Sequence, residues 1–148
     1  LPHCSNVHTV VEDLDLTEQI NLHKAMEHRD NFSHAATIFP VLDLERSLVF
    51  YTQGLGFELT FSWEEPPTYA VLKRGGVSLH LSLMDNQVTQ AVPTGLLYIF
   101  VYDVDKIYQR CLEQGIPIKN APALQDYGMT DFDVEAPDGH RITFGRGA

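Results

Sequence analysis

The sequence is poor in cysteine and in basic residues, and it contains no long apolar run. Its 148 residues include two cysteines, Cys4 and Cys111. These are too few for a disulfide framework, so we expect free thiols in a reducing compartment. No apolar run approaches the roughly 20 residues that a membrane-spanning helix needs. No basic-then-apolar leader is visible either, so we expect a cytoplasmic protein without a membrane partner.

Basic residues are half as numerous as acidic ones. Ten Lys and Arg residues stand against 20 Asp and Glu residues, which gives a formal net charge of −10. A field of this sign repels nucleic-acid phosphates and attracts cationic molecules. We therefore expect a small-molecule partner and no nucleic acid. With 44% hydrophobic residues, the chain is long enough for one domain with a substantial core.

Two segments about sixty residues apart resemble each other. The first opens at Val41–Ser47 and the second at Val101–Ile107. Each passes from an apolar strand through an aspartate, Asp43 or Asp103, that can cap a helix. A repeat of this size indicates one supersecondary unit used twice, with a cleft between the two copies.

The fold class that this pattern predicts is α+β, with two βαβββ modules whose curved sheets surround a cleft. We place the modules at about 34–84 and 94–146, within a domain at 32–148. The predicted strands are Ala35–Leu42, Phe57–Trp63, Tyr69–Arg74, Val77–Leu83, Leu96–Val101, Thr130–Glu135 and Arg141–Gly145, and the predicted helices are Leu44–Gln53 and Val104–Gln114. Residues 122–127 read as irregular. Pro40 interrupts the first strand, which must therefore bend or lie at a sheet edge.

Residues 1–31 differ in composition and are interpreted as a variable N-terminal arm. One helix from Leu16 to His28 is predicted there, with a thin apolar face that suits packing on a neighbouring subunit. Five of the seven histidines lie in or just after the arm, at His3, His8, His23, His28 and His34. His23 and His28 are five residues apart and do not share a helical face, so we expect no metal site in the arm.

Several motifs in the two modules occur together in one known family. They are Asp43-Leu44-Glu45-Arg46-Ser47, Phe50-Tyr51, Leu55-Gly56-Phe57, Tyr127-Gly128-Met129, Phe132, Pro137-Asp138-Gly139 and Phe144. In this combination the chain resembles the vicinal oxygen chelate superfamily of glyoxalases, extradiol dioxygenases, fosfomycin-resistance enzymes and bleomycin-resistance proteins. The resemblance covers about residues 35–146 and leaves the arm outside.

The resemblance also indicates where an enzyme of this family would hold its divalent metal. The four ligand positions, on the first and last strands of each module, correspond to Ala36, His80, Leu96 and Thr143. Only His80 has a metal-ligating side chain, and one histidine does not hold a catalytic metal. We therefore favour a protein without metal or other cofactor and without catalysis, in which His80 is a hydrogen-bonded cleft residue. The alternative is a metal-dependent glyoxalase-like lyase or isomerase, or a dioxygenase, with a rearranged site that uses His80 and His34 or the N-terminal histidines.

The bleomycin-resistance branch shares this departure from the enzyme pattern. Resemblance to that branch implies a homodimer in which Pro40 is the hinge of an exchanged strand. It also implies a groove at the dimer interface, and it assigns ligand-binding roles to Phe61, Trp63, Tyr69, His80, Tyr98, Phe100 and Tyr127. The expected function is non-enzymatic binding and sequestration of a small, cationic or aromatic molecule, as in antibiotic resistance. A family scaffold that has lost both roles and serves as an interaction module is a third possibility.

The aromatic residues also fit other interpretations. Tyr98 and Phe100 share one strand face, which suits either the core or a groove. Trp63 beside the acidic, proline-containing segment 64–67 suits a planar cation, through a cation–π attraction of about 0.5–2 kcal/mol. It equally suits a solvated loop anchored by one tryptophan.

Polar residues near these aromatics leave similar alternatives. Asp126, Asp131 and Asp133 add negative charge near Tyr127, or they form a solvated face. His140 directly follows the turn at Pro137-Asp138-Gly139, so we expect it to be exposed. Cys111 lies in the middle of the second predicted helix and is interpreted as a small buried hydrophobic residue.

Overall fold

The structure, a computed structural model, describes residues 15–27, 34–85 and 94–147, and for residues 22–27 it describes the backbone alone. The chain divides into two compact units, one ending at His34 and one beginning at Ala35. The predicted arm boundary at residue 31, Cys4, and the arm histidines His3, His8 and His28 lie outside the described residues.

The first unit contains helix α1 (Leu16–Glu27), close to the predicted bounds. The carboxylate of Asp15 accepts a hydrogen bond from the Glu18 N–H, and the Glu18 carboxylate accepts one from the Asp15 N–H. This reciprocal pair satisfies backbone donors that the first turn leaves free. None of the helices in the described ranges is long and apolar enough to cross a membrane.

The second unit contains two four-stranded curved sheets, each with a helix, which confirms the predicted α+β fold of two βαβββ modules. The first sheet contains β1 (Thr37–Val41), β2 (Glu58–Trp63), β3 (Tyr69–Arg74) and β4 (Val77–Leu83), in the order β1-β4-β3-β2. The second contains β5 (Leu96–Phe100), β6 (Ala123–Leu124), β7 (Met129–Glu135) and β8 (Arg141–Gly147), in the order β5-β8-β7-β6. The two sheets thus repeat one topology, with a parallel edge strand beside an antiparallel set.

The two module helices begin in the same way. In helix α2 (Leu44–Val49) the Asp43 carboxylate accepts a hydrogen bond from the Arg46 N–H at 2.9 Å. Helix α3 (Val104–Glu113) begins with the equivalent bond from the Lys106 N–H to Asp103, also at 2.9 Å. Both aspartates have extended backbone, as a residue preceding the first helical turn requires. Beyond Val49, helix α2 continues as a π-helical segment (Phe50–Gly54).

Several predicted boundaries differ from the observed ones by one or two residues, and one strand was not predicted. Residues 122–127 were expected to be irregular, but Ala123 and Leu124 pair with Asp131 and Thr130 and form β6. A strand of two residues shows no periodicity in the sequence, because its partner strand alone determines it. The last strand also runs two residues past its predicted end, since Gly147 pairs with Met129.

Pro40 lies on an edge strand, as predicted. Within this chain β1 pairs in parallel with β4, and Pro40 is opposite Ser82. Among the described strands, none pairs with the other side of β1. A residue without an N–H is tolerated there because the ladder needs donors on one side only.

The modules share a hydrophobic core, which His140 helps to hold together. Contrary to the prediction, this histidine is buried, with 1% of its surface exposed. Its ring stacks on Phe39 with centroids 4.2 Å apart. Nδ1 accepts a hydrogen bond from the Gly95 N–H at 2.9 Å, so Nε2 carries the proton and donates to the Pro40 carbonyl at 2.7 Å. One side chain thus links β1 to the start of the second module.

Cys111 is buried in α3, as expected for a small hydrophobic residue. Burial raises the pKa of its thiol to about 11. At neutral pH the sulfur therefore remains a neutral, unreactive thiol.

Candidate functional site

Each sheet has one face in the core and one open face, and the pairing register shows which residues lie on each. On the first sheet, the open face carries Ile38 and Pro40 of β1, His80 and Ser82 of β4, Tyr69 and Val71 of β3, and Phe61 and Trp63 of β2. On the second, it carries Leu96, Tyr98 and Phe100 of β5, Arg141, Thr143 and Gly145 of β8, and Asp131 and Asp133 of β7. Six of the seven residues predicted to bind a ligand lie on these open faces. The seventh, Tyr127, forms a hydrogen bond to Asp131 on the open face of the second sheet.

Tyr98 and Phe100 lie side by side on the open face of the second sheet. Their ring centroids are 4.9 Å apart, and Phe100 is 76% exposed. Neither ring belongs to the hydrophobic core. The Tyr98 ring lies over Gly145, where an added Cβ would come within 1.8 Å of the phenol oxygen. The sequence did not single out Gly145, because its role depends on the pairing of β5 with β8.

The carboxylate of Asp131 organises this face. It is buried, with 3% of the residue exposed. One of its oxygens accepts hydrogen bonds from the Tyr98 hydroxyl at 3.0 Å and from the Tyr127 hydroxyl at 2.7 Å. Asp131 is therefore not part of a solvated face, and Tyr127 is anchored beside Tyr98 by a shared acceptor.

The phenol groups around Asp131 remain protonated at neutral pH. Burial, together with the bond to Asp131, raises the pKa of Tyr98 to about 12. The hydrogen bond to Asp131 is also the main cause of a raised pKa at Tyr127. The nearby Asp133 accepts a hydrogen bond from the Thr143 hydroxyl at 2.5 Å. Within the described ranges, neither carboxylate forms an ion pair with a lysine or arginine.

The other four predicted residues lie on the first sheet. Phe61 and Trp63 stack with centroids 6.5 Å apart, and Trp63 is 59% exposed. Tyr69, opposite Trp63 in the register, makes a hydrogen bond between its hydroxyl and Nδ1 of His80 at 2.7 Å. The expected hydrogen-bonded role of His80 is consistent with this contact. Among the contacts of the described residues, none joins this group to the aromatics of the second sheet.

The positions that correspond to the family's metal ligands do not provide a ligand set. Ala36 and Leu96 have no donor atom in their side chains. The Thr143 hydroxyl already donates to Asp133, which leaves His80 as the one imidazole donor of the four. The residues present at these positions do not fit a divalent metal.

Comparison with known proteins places the chain in a family. Residues 31–144 match the model of the Glyoxalase/Bleomycin resistance protein/Dioxygenase superfamily. A search among curated proteins gave no significant match.

Solved structures provide matches at the level of the fold. TioX from Micromonospora sp. ML1 aligns with a TM-score of 0.69 and 21% identity, over 79% of this chain and 100% of that chain. A bleomycin resistance determinant encoded on the transposon Tn5 aligns with a TM-score of 0.66 and 23% identity, over 78% of this chain and 98% of that chain. The third match is the bleomycin-binding protein of bleomycin-producing Streptomyces verticillus, in complex with copper(II)-bleomycin. It aligns with a TM-score of 0.64 and 22% identity, over 81% of this chain and 100% of that chain. With the match over residues 31–144, the chain belongs to the glyoxalase/bleomycin resistance protein/dioxygenase superfamily.

Proposed function

We propose that this protein binds and sequesters a small cationic molecule with an aromatic part, without chemically changing it. The observation that carries the proposal is the open face of the second sheet. There, exposed aromatic rings surround carboxylates that form no ion pair with a basic side chain in the described ranges. The bleomycin-binding protein and the bleomycin resistance determinant among the structural matches support this class of ligand.

The geometry favours a cation over a neutral ring. The buried Asp131 already accepts two phenolic hydrogen bonds, so it holds the rings while contributing negative potential to the face. Asp133 is only partly buried and is more accessible to a ligand cation. A cation near these groups gains Coulomb attraction in a partly desolvated site, as well as cation–π contact with Tyr98 or Phe100.

We propose that the groove is completed by a second copy of the chain. The aromatics of the first sheet, Trp63 among them, have no contact with those of the second sheet in the described part of one chain. In a homodimer, the open face of the first sheet of one protomer would lie opposite the open face of the second sheet of its partner. A ligand in such a groove would be covered on both sides, which excludes water and strengthens the electrostatic attraction.

Calorimetric titration of the full chain with bleomycin, at low and moderate salt, tests the proposal. We expect saturable binding near one molecule per chain, weakened by salt because opposite charges are screened. Removing a charge-assisted contact with Asp133→Asn should weaken binding about tenfold. Phe100→Ala, which removes an exposed ring without affecting the core, should also weaken it.

Asp105→Asn serves as the matched control. Asp105 is an exposed carboxylate in the first turn of α3, so this variant changes the net charge by the same amount at a distance from the face. Equal weakening by Asp133→Asn and Asp105→Asn would mean that net charge alone attracts the drug. The absence of saturable binding would refute the assignment to a bleomycin-like ligand.

A further inference from the structure

A second cavity lies on the core side of the second sheet. It is a cleft of about 780 Å³ between the β3–β4 hairpin, α3 and the end of β5. Ile99 and Phe144 line it, and they project from the face opposite Tyr98 and Thr143. Phe100 lies at the border of both regions. The cleft is therefore separate from the carboxylate-bearing face.

The charged residues that line this cleft have a net positive charge. Arg74, Lys106 and Arg110 line it together with two carboxylates, Asp103 and Glu113. Asp103 is engaged as the cap of α3, where it accepts the Lys106 N–H. Three of the ten basic residues of a chain with a net charge of −10 thus line one cavity.

The two guanidinium groups lie side by side. A Cβ added to Gly56 would be 3.4 Å from Nη1 of Arg74 and 3.1 Å from Nη2 of Arg110. In the part of the chain that the structure describes, neither group forms an ion pair with a carboxylate. They donate instead to the backbone carbonyls of residues 53–55, at the end of the π-helical segment.

In the described structure, both guanidinium groups therefore keep N–H donors that are not hydrogen-bonded and a positive charge that is not paired with a carboxylate. Each guanidinium has five N–H groups, and the bonds to the carbonyls occupy a minority of them. Burial and, after it, the charge of Arg110 lower the pKa of Arg74, which indicates that the pair is partly desolvated and mutually repulsive. An oxyanion between them would offset the repulsion and accept charge-assisted, bidentate hydrogen bonds.

We propose that this cleft is a second binding site, for a small molecule that carries a phosphate group. Arg74 and Arg110 bind the phosphate oxygens, and Lys106 adds a third positive charge at the rim. The apolar lining formed by Phe57, Ile99 and Phe144 contacts the non-polar part of the same molecule. The chain thus has binding sites of opposite charge preference on the two sides of its second sheet.

Titration of the full chain with inorganic pyrophosphate tests the proposal, with sodium chloride adjusted to hold the ionic strength constant. We expect saturable binding of one anion per chain, and shifts of the Arg74 and Arg110 side-chain Nε–H signals in NMR spectra. Lys106→Gln should weaken binding about threefold to tenfold, because one charged donor is lost. Arg110→Gln should weaken it further.

Lys73→Gln is the matched control, since Lys73 is next to Arg74 but lies on the open face, opposite Glu58 and Ser78. It should leave pyrophosphate binding unchanged. Arg110 also bonds to backbone carbonyls, so the decisive variant is Lys106→Gln, whose exposed side chain makes no hydrogen bond in the described structure. Pyrophosphate binding that is unsaturable, or equal in Lys106→Gln and Lys73→Gln, would overturn the proposal.

Discussion

At the residue scale, stability depends on whether buried polar side chains have hydrogen-bond partners. His140 is the clearest case, because both ring nitrogens bond to backbone groups of other segments and the ring stacks on Phe39. A buried polar group of this kind adds little when satisfied, but its removal leaves its partners unbonded. The contribution of His140 to stability therefore depends on Gly95 and Pro40 as much as on the histidine itself.

Replacing His140 should reveal that dependence. His140→Phe keeps an aromatic ring against Phe39 but leaves the Gly95 N–H and the Pro40 carbonyl without their partner. We expect the free energy of unfolding to fall by about 2 kcal/mol, and by more in His140→Ala, which also loses the stacking. Urea denaturation measures both changes.

The neighbouring exposed Arg141 provides the control for this prediction. Arg141→Gln should change the stability by no more than about 0.5 kcal/mol, as surface substitutions usually do. If His140→Phe were as stable as Arg141→Gln, the hydrogen bonds of His140 to Gly95 and Pro40 would contribute nothing to stability. His140 would then not hold the two modules together.

At the element scale, local signals explain which parts of the fold could be predicted. Asp43 and Asp103 mark two helix starts, and the Gly75-Gly76 turn and the alternation around it give β3 and β4 their observed bounds. The strand β6 was missed because pairing with β7, and no property of its own two residues, makes it a strand.

The candidate site could be predicted only in part, for the same reason. Alternation along β5 placed Tyr98 and Phe100 on one face, but it left open whether that face was core or groove. The burial of Asp131 and the need for glycine at position 145 follow from contacts across strands. Such contacts are set by register, which a single sequence does not state.

The contact between the end of the π-helical segment and the residues that follow α3 allows a prediction at this scale. Gly54 ends the π-helical segment, and an added Cβ would lie 2.6 Å from Cδ1 of Ile116. Alanine ordinarily stabilises a helical position by about 1 kcal/mol relative to glycine, but here the overlap outweighs that gain. We expect Gly54→Ala to destabilise the protein by about 1–2 kcal/mol in urea denaturation.

The double variant identifies the cause of that loss. Ile116→Val removes Cδ1, and the next nearest atom, Cγ1, would lie 3.7 Å from the added Cβ, an ordinary contact. In the Ile116→Val background, Gly54→Ala should therefore be neutral or stabilising, with a coupling of about 1–3 kcal/mol. Additive effects of the two substitutions would show that the overlap with Ile116 is not what limits position 54.

At the scale of the whole molecule, the described residues of the second unit include exposed apolar side chains on strands at the sheet edges. Ile38 on β1 is 56% exposed, and Leu96 and Phe100 on β5 are more exposed still. Both strands are sheet edges. Unpaired edges with exposed apolar side chains favour association with another chain. These side chains lie on the open faces of the two sheets, which also form the proposed ligand groove. Dimer formation and ligand binding should therefore depend on each other.

We expect the full chain to sediment at twice its monomer mass at micromolar concentration. Ile38→Glu places a carboxylate where the proposed interface requires an apolar contact, and it should shift the equilibrium toward monomer and weaken bleomycin binding together. Leu124→Glu is the control, because Leu124 is 70% exposed but lies on β6, at the opposite edge of the second sheet. Sedimentation equilibrium of the three proteins decides the question. A monomeric parent chain, or an Ile38→Glu dimer as tight as that of Leu124→Glu, would mean that the groove is not built by β1 and β5 of two protomers.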